Sequence, residues 1–465
     1  MRPGNLKISE RREKASSVPR LESRSTGESL STDLRTELPD RILIDCTETT
    51  LSGLSTGVQR VVRNIVDRSD LMAQYTGVPC LPVIAIGEKF YPLSSFPSLR
   101  EARVLQSGIL ESGKSLYHFI DSFLSRIFFQ RIPEDLKEDR LKKKGIFRLS
   151  LRGWVKKEGR NAVLRLSNCS LMVREGTPVN PGRRDLLLMP DMFWGLPDPL
   201  RAARAFWKKG GAIVPVIHDL IPVHFPQYSH EGTAYEFRKT LPEIVGIAIG
   251  ILTVSKSMQK EIEDYLSKLF PERSLPTECF YLGADMLKNN RRVESVRVEI
   301  RSFSSGDDLY LMVGTIQPHK GYQVVLQAFE RMWGSGFTGK LCIVGRVGGN
   351  GYDLMKSLRA SRWYGEKLIV YHNANDSELD HLYRYTKGLI MASYAEGFGL
   401  PLVEAMEYGV PVVASDLPVF REVGGDYPDY FITGSSGSLM NVIKEREKKG
   451  GPKERGIHPK VENLG

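Results

Sequence analysis

A strand–loop–helix–strand pattern at residues 389–414 decides the fold, and its sequence is LIMASYAEGFGLPLVEAMEYGVPVVA. The apolar run Leu389–Ala392 predicts a buried strand. Pro401 and Gly409 bracket a short helix, because Pro is favoured in the first turn and Gly just after the last. The apolar run Val410–Ala414 predicts the next strand. A strand, a helix and a strand in succession indicate a parallel sheet with a right-handed crossover.

The same alternation begins at residue 309. Apolar residues spaced three and four apart in Tyr322–Trp333 form one stripe, as in a helix that packs on a sheet. We therefore expect a Rossmann-like domain over residues 309–434. Its other predicted strands are Leu309–Val313, Leu341–Val344 and Leu368–Tyr371, and its other helices are Tyr352–Arg362, Ser377–Thr386 and Pro401–Tyr408.

The first half of the chain has a weaker version of this pattern, which predicts a second Rossmann-like domain over 40–285 and a linker over 286–308. Because ligands collect at the carboxyl ends of parallel strands, two such domains predict a cleft between them. Residues 76–185 give no clear pattern. The predicted strands are Ile42–Asp45, Leu186–Met189, Ile213–Ile217 and Ile251–Val254, and the helices are Val58–Asp67, Pro199–Lys208 and one from Lys256.

The composition excludes several classes of protein. With 465 residues, 41% hydrophobic and 26% charged, the chain is typical of a soluble globular protein with two large domains or three small ones. The apolar run Ile244–Ser255 is shorter than the about 20 residues of a membrane span. The first forty residues contain no apolar stretch, so we expect no secretory signal. Five scattered cysteines indicate neither a disulfide framework nor a zinc site, and they favour a cytoplasmic location.

The net charge of +10 is concentrated in a few segments. Residues 126–160 combine basic residues with aromatic ones. They fit a hairpin with its apolar face toward the core, or a peripheral contact with an anionic membrane surface. Nucleic acid phosphates are a third partner for such a segment, the least favoured, and we expect no nucleic acid partner. The polar residues 1–39 are predicted to be disordered, and 435–465 to be a flexible basic tail.

The loop between strand and helix carries the candidate chemistry. Gly397 and Gly399 allow the backbone to approach a ligand closely, and the helix start presents free N–H groups. Glu396 lies in the loop and Glu404 one turn into the helix, where a carboxylate can accept two ribose hydroxyls. A capped helix with surface glutamates fits the same residues, so they leave both interpretations open.

Two glutamates separated by seven residues around Gly-Phe-Gly-Leu-Pro resemble the signature of glycosyltransferase family 4, whose members are retaining enzymes of the GT-B fold. The likeness extends over most of 41–432, and Gly-Thr-x-x-Pro-x-Lys at 314–320 is closest to mannosyltransferase-like members. The segments that carry it are Gly314–Gly321, Val412–Asp416, Ile217–Leu220, Leu252–Lys256 and Thr56–Arg60.

The resemblance implies a role for each matching residue. Glu404 should bind the donor ribose, and Lys320 should neutralise the diphosphate leaving group without a metal ion. Glu396 should contact the transferred sugar, and His218 should face it, although a core histidine is the alternative there. The remaining residues implied are the backbone groups of Phe398, Gly399 and Leu400 on the donor side and Gly57 and Arg60 in the first glycine loop.

Two features depart from the family pattern. Thr315 stands where an arginine is commonest, and Arg346 is the candidate for the missing second cation, with an ordinary surface arginine as the alternative. Family members usually finish with a helix that returns to the first domain, whereas Lys448–Gly465 is rich in Gly, Pro and Lys. We do not expect a helix there, which leaves truncation or reduced activity open.

Together these observations predict a retaining, metal-independent hexosyltransferase without a cofactor, whose donor is a GDP- or UDP-linked sugar. Mannose is the first choice of sugar, and a lipid-linked glycan in surface polysaccharide synthesis is the first choice of acceptor. A transferase that makes a storage or solute glycoside, and a GT-B scaffold without activity, remain as alternatives.

Overall fold

The computed structural model describes residues 38–52, 57–93, 177–283, 295–306 and 308–449, and they form two α/β domains. The predictions for 1–37, for the basic segment 126–160 and for 450–465 lie outside the described residues.

The first domain is built on a seven-stranded sheet with the strand order β3-β2-β1-β4-β5-β6-β7. Neighbouring strands are parallel, except that β3 pairs with β2 in an antiparallel hairpin. The strands are β1 Arg41–Asp45, β2 Cys80–Ile86, β3 Lys89–Pro92, β4 Asp185–Met189, β5 Ala212–Ile217, β6 Ile251–Thr253 and β7 Thr277–Cys279. The helices are α1 Thr47–Ser52, α2 Gly57–Asp67, α3 Ser69–Thr76, α4 Pro197–Lys208, α5 Ile221–His224, α6 Glu231–Ile247 and α7 Lys256–Leu269, with a 3₁₀ turn at Pro226–Tyr228.

The second domain is built on a parallel six-stranded sheet with the order β10-β9-β8-β11-β12-β13. The strands are β8 Leu309–Val313, β9 Lys340–Val344, β10 Leu368–Tyr371, β11 Gly388–Met391, β12 Val412–Ser415 and β13 Asp429–Phe431. The helices are α8 Val298–Phe303, α9 Tyr322–Gly334, α10 Tyr352–Ala360, α11 Asp376–Tyr385, α12 Leu400–Glu407, α13 Pro418–Gly424 and α14 Ser436–Lys448, with a 3₁₀ turn at Pro318–Lys320.

Burial explains why the second domain is the easier one to predict. Every residue of β11 and β12 is buried, as expected for parallel strands covered on both faces by helices. The predicted apolar stripe of α9 is confirmed, since Val325, Phe329 and Met332 are fully buried. Asn375 and Glu378 form a reciprocal capping box that starts α11. The prediction of two Rossmann-like domains with parallel sheets is therefore confirmed.

Each sheet has a point where the chain reverses its direction of winding, and such points create crevices at the carboxyl ends of the flanking strands. In the first domain this point lies between β1 and β4, and in the second it lies between β8 and β11. The two crevices are therefore the places to look for a site.

Two predicted boundaries are wrong. Part of the predicted linker is helical, because α8 buries Ile300 in the hydrophobic core. The first part of the predicted tail is the helix α14, whose Leu439 and Ile443 are fully buried and whose start is capped by the Ser435 side chain. The basic composition concealed this helix, since two apolar residues four apart are enough to anchor it.

The unclear stretch 76–185 contains the hairpin of β2 and β3, whereas the predicted strand Leu186–Met189 is confirmed as β4. The helix α6 was also missed, because Pro242 interrupts its pattern. Among the described residues, no helix combines the length and the apolar character that crossing a membrane requires.

Candidate active site between the two domains

The glycine-rich loop after β11 lies directly against the first domain. A Cβ atom placed on Gly397 would be 1.7 Å from the carbonyl oxygen of His218, so only glycine allows the two backbones to come this close. The Ser255 hydroxyl, just after β6, donates to the Gly397 carbonyl oxygen at 2.8 Å. The carboxyl edges of the two sheets therefore meet at this loop.

A second contact between the domains lies at the start of α7. The Glu422 carboxylate on α13 accepts the backbone N–H groups of Lys256 and Ser257 at 2.6 and 2.7 Å. A carboxylate there pairs the free N–H groups of the helix and interacts favourably with its dipole. This contact and the Ser255–Gly397 bond hold the first-domain helix on the second domain.

Lys320 and Glu396 form an ion pair at the carboxyl ends of β8 and β11, with Nζ and Oε1 2.5 Å apart. The Ser393 hydroxyl also donates to Oε1, at 2.8 Å. Burial acts to raise the pKa of Glu396, but the charge and hydrogen bond of Lys320, with smaller contributions from His319 and Ser393, lower it overall. Glu396 is therefore ionised at neutral pH.

The turn that carries Lys320 is fixed by close packing. Gly321 has φ 71° and ends the 3₁₀ turn, and a Cβ on it would lie 1.9 Å from the Ala392 carbonyl oxygen. The Tyr394 backbone N–H donates to the His319 carbonyl oxygen at 2.7 Å. The end of β11 and the lysine turn are thus held together, which explains why Lys320 and Glu396 meet.

Glu404 lies inside α12 and is 1% exposed. The Tyr383 hydroxyl donates to its Oε2 at 2.7 Å, and Arg60 Nη2, from α2 of the first domain, lies 2.5 Å from its Oε1. Burial acts to lower the pKa of Arg60, but the Glu404 carboxylate raises it overall. Two of the residues that the resemblance implies, Arg60 and Glu404, are therefore in contact.

His218 ends up with its ring directed to its own domain. Its Nε2 is 2.7 Å from the Pro190 carbonyl oxygen, and burial lowers its pKa, which favours the neutral ring. Its backbone carbonyl lies against Gly397 of the glycine-rich loop. The neighbouring Asp219 has a pKa raised by burial and, to a smaller extent, by Glu396.

Thr315, which stands where an arginine is commonest in the family, and Arg346, the candidate for the second cation, lie in different environments. Thr315 is partly buried just after β8, whereas Arg346 after β9 is exposed. The Arg346 carbonyl accepts the Ile316 N–H at 2.7 Å, but its guanidinium forms no hydrogen bond or ion pair within the described ranges. The second-cation role of Arg346 therefore stays a prediction.

The other predicted site residues surround the start of α12. Phe398 is 4% exposed and packs against Tyr281, with the ring centroids 6.3 Å apart. Gly399 has φ 97° and precedes Leu400, the first residue of the helix. A Cβ on Gly57 would lie 3.6 Å from Leu400 Cδ1, so the starts of α2 and α12 are adjacent. The structure thus brings together the predicted residues of the glycine loop and the signature.

Sequence reasoning missed several residues here. His319 is buried, its Nδ1 forms no hydrogen bond, and burial with the Lys320 charge lowers its pKa to about 4. Tyr228 stacks on Tyr394 across the domains at 5.7 Å between centroids. Tyr383 was also missed. For His319, the only signal in the sequence was its position next to Lys320. Tyr228 and Tyr383 gave no signal, because their contacts join residues far apart in sequence.

A polar cavity of about 410 Å³ adjoins Tyr228 on its 3₁₀ turn. It lies between the start of α6 and the loop after β9, and Asn350 Nδ2 donates to the Ser229 carbonyl oxygen at 2.7 Å across it. Its volume lies in the roughly 300–1,000 Å³ range of ligand pockets. The side chains that line it include Gln227, His230, Glu231, Arg238 and Asn350.

The first-domain crevice holds two buried carboxylates. Asp45 ends β1, and Asp191 lies just after β4; both are 1% exposed. Burial, with the charge of Asp191, raises the pKa of Asp45 to about 7. Burial also raises the pKa of Asp191 to about 6, despite hydrogen bonds from Thr49 and Met192. Within the described ranges, no three His, Cys, Asp or Glu side chains converge as a metal site.

Comparisons with known proteins agree with this architecture. Residues 298–446 match the family model described as glycosyl transferases group 1. The serotype-specific mannosyltransferase WbdA of Escherichia coli is 30% identical over 295 residues, which are 62% of this chain and 36% of WbdA. The O-antigen chain mannosyltransferase B of Escherichia coli is 28% identical over 215 residues, which are 46% of this chain and 55% of that protein. The chain thus spans less than two thirds of the length of these curated relatives.

The crystal structure of Anabaena HepE in complex with UDP-glucose superposes with a TM-score of 0.52 at 16% identity, over 91% of this chain and 93% of that chain. At this identity the likeness concerns the fold, and it confirms the predicted GT-B arrangement of two α/β domains. The second domain of this chain, over residues 298–446, is similar to the group 1 glycosyl transferases, and the resemblance that its glutamate signature indicated is confirmed.

Proposed function

We propose that the chain is a retaining glycosyltransferase that moves a hexose from a nucleotide-diphosphate sugar to a glycan acceptor. The observation that carries this proposal is the Lys320–Glu396 pair, which lies in the second-domain crevice where the glycine-rich loop meets the first domain. A cation and an ionised carboxylate at such a point suit a donor with an anionic and a hydroxyl-rich part.

The donor's diphosphate takes the place beside Lys320. As the bond to the sugar breaks, negative charge develops on the departing phosphate, and the ammonium stabilises that charge. The positive end of the α12 dipole supports the same charge. Glu396, which remains ionised, accepts hydrogen bonds from the hydroxyls of the transferred sugar. Glu404 accepts hydrogen bonds from the hydroxyls of the ribose.

Contacts between the domains exclude water from the donor. The Ser255–Gly397 bond and the Glu422 contact with α7 bring the two edges together. A closed cleft prevents hydrolysis of the donor and aligns the acceptor hydroxyl. Transfer onto the same face of the sugar that the phosphate leaves is the expected course.

Similarity to proteins named as mannosyltransferases, one of them of O-antigen chains, supports mannose as the sugar and a surface polysaccharide as the product. The donor base, GDP or UDP, the lipid-linked acceptor and a cytoplasmic location at the inner membrane face are parts of the same proposal. The polar cavity beside Tyr228 is the place for the acceptor, since its amide, imidazole and charged groups suit a polyhydroxylated ligand.

Thermal unfolding in the presence of GDP, UDP, ADP and their sugar conjugates tests the donor. A ligand at 100 times its dissociation constant stabilises the folded protein by about 2.7 kcal/mol. We expect the nucleotides of one base to stabilise the folded protein. This stabilisation should be lost in Glu404→Ala and retained in Glu366→Ala, which changes an exposed glutamate on the same domain. No response to any nucleotide would contradict the proposal and favour a scaffold without activity.

Product analysis tests the reaction itself. Incubation with the selected sugar nucleotide and a mannose oligosaccharide acceptor should give a product with the anomeric configuration of the donor, as measured by NMR. A product of inverted configuration would contradict the retaining course but not the donor assignment.

A further inference from the structure

The Glu404 carboxylate, which we assign to the donor's ribose, contacts one residue from each of the two domains. One oxygen contacts Tyr383 of the same domain, and the other contacts Arg60 of the first domain. Both Arg60 Nη2 and Glu404 Oε1 are shielded from solvent, although the two atoms are not aligned as a hydrogen bond. A ribose hydroxyl cannot reach Oε1 until Arg60 moves.

Tyr383 is held independently of the first domain. Its side chain is fully buried, and its ring stacks on Tyr408 with centroids 5.2 Å apart and planes at 13°. The Tyr408 hydroxyl donates to Asp380 Oδ1 at 2.6 Å. Because all these groups lie in the second domain, the Tyr383–Glu404 bond persists whether the cleft is open or closed.

Arg60, in contrast, depends on the cleft. It lies on α2 of the first domain and its side chain is 20% exposed, so it has a route away from Glu404. The pair forms because the starts of α2 and α12 are adjacent at Gly57 and Leu400. The contact is thus one that a bound ligand can replace.

We propose that Tyr383 and Arg60 control the affinity of Glu404 for the donor's ribose in opposite directions. Tyr383 is a positioning residue that directs the carboxylate toward the two hydroxyls. Arg60 competes with the ribose for Oε1 and leaves it when the nucleotide binds. This inference rests on the proposed function, because it requires a nucleotide in this cleft.

The test compares the affinity for UDP and GDP with that for their 2′-deoxy forms, measured by titration calorimetry. The affinity for the ribonucleotide divided by that for its 2′-deoxy form isolates the ribose contact. Both nucleotides carry the same diphosphate, so its attraction to Arg60 cancels in this ratio. We expect Tyr383→Phe to lower this ratio about fivefold and Arg60→Gln to raise it by about the same factor, as for one hydrogen bond.

Two matched controls exist in the chain. Tyr310→Phe removes a buried tyrosine hydroxyl that donates to Glu447, and Arg41→Gln breaks the Arg41–Asp185 pair in the first-domain sheet. Both should leave the ratio unchanged. If Tyr383→Phe does not fold, Tyr408→Phe should lower the ratio less but in the same direction, because it loosens the ring that supports Tyr383.

The outcomes separate this inference from the proposed function. A wild-type protein that binds neither UDP nor GDP overturns the proposed function, and with it the inference. Wild-type binding with equal affinity for the ribo and 2′-deoxy forms overturns the ribose contact of Glu404 and, with it, the inference, while the proposed transfer from a nucleotide-diphosphate sugar stands. An unchanged ratio in Tyr383→Phe overturns the inference alone. A lower ratio in Arg60→Gln would show that Arg60 supports the ribose contact instead of competing with it.

Discussion

The crevices of the two sheets have the same geometry but different electrostatics. Each lies where the order of strands reverses. The first holds the buried carboxyls of Asp45 and Asp191 after β1 and β4, and the second holds the Glu396 carboxylate after β11 beside Lys320 after β8. In the second domain the Lys320 ammonium contacts Glu396, and the pKa of that carboxyl is lowered. In the first domain, burial raises the pKa of Asp45 to about 7 and that of Asp191 to about 6.

The fold therefore decides where a carboxylate lies, and a nearby cation decides whether it is charged. An ionised Glu396 only accepts hydrogen bonds, whereas a carboxyl that titrates near neutral pH donates as well. The second crevice suits a ligand with fixed hydroxyls and a diphosphate. In the first-domain crevice, no lysine forms an ion pair with Asp45 or Asp191 among the described residues.

Removing the cation should make the second crevice resemble the first. In Lys320→Met, burial remains while the compensating charge is lost, so the pKa of Glu396 should rise. Because the leaving phosphate also loses its cation, transfer should slow by roughly 10²–10³-fold. The rate and its pH profile in the NMR assay measure both effects, and Lys356→Met, in an exposed ion pair, is the control. A wild-type rate would show that the second crevice is not where the leaving group is stabilised.

Separating the two crevices tests whether they work together. In Gly397→Ala the new Cβ would meet the His218 carbonyl oxygen at 1.7 Å, so the two loops must move apart. A displacement of about 1 Å in an active site can cost about 100-fold in rate. Gly437→Ala is the control, because a Cβ there meets nothing within 4 Å. If Gly397→Ala is as active as this control, the loops need not touch for transfer.

The first crevice should affect stability with a sign opposite to that of the second. Because the folded pKa values of Asp45 and Asp191 exceed the usual value of 3.8, the folded state binds more protons, and stability falls as pH rises from about 4 to about 7. Asp45→Asn should remove much of this fall, on the order of 2 kcal/mol. Midpoints of thermal unfolding at pH 5 and 7.5 measure it.

The Glu396 contribution has the reverse dependence. Its folded pKa is lowered, so its stabilisation is present above the unfolded pKa and is lost as pH falls through the folded value. That window lies below pH 5 and does not overlap the measurement. The exposed Asp353→Asn is the control for Asp45→Asn. Equal changes in wild type and Asp45→Asn between pH 5 and 7.5 would mean that Asp45 does not titrate there.

The smallest expected effect concerns the contact that joins the two edges. Ser255→Ala loses the bond to the Gly397 carbonyl and the N-cap of α7, where the hydroxyl accepts the Met258 N–H at 3.1 Å. We expect a loss of about 1 kcal/mol in stability. Ser335→Ala, whose hydroxyl forms an exposed bond, is the control, and thermal unfolding measures both. A change no larger than in the control would show that this bond does not stabilise the closed cleft.

Local patterns predicted most of the second domain, because fully buried strands are continuous apolar runs and helices bury one stripe. The predicted strand Leu368–Tyr371 and the start of the helix at Tyr322 agree with the structure to the residue. The hairpin of β2 and β3 was missed, because its pattern is short and is interrupted by Pro82. The helix α14 was missed because charge dominates its composition.

For the candidate site, the sequence by itself determined which residues are present: the two glutamates, the glycines between them and Lys320. Periodicity and glycine positions predicted the loop and helix that carry the glutamates. Lys320 lies in another loop, and its role and those of the glutamates were implied only by the resemblance to glycosyltransferase family 4. Only the tertiary structure decided which groups contact them. Arg60 and Glu404 are 344 residues apart, and Tyr383 lies on another helix. Contacts of this kind follow from how two sheets pack, and no local pattern encodes the distance between them.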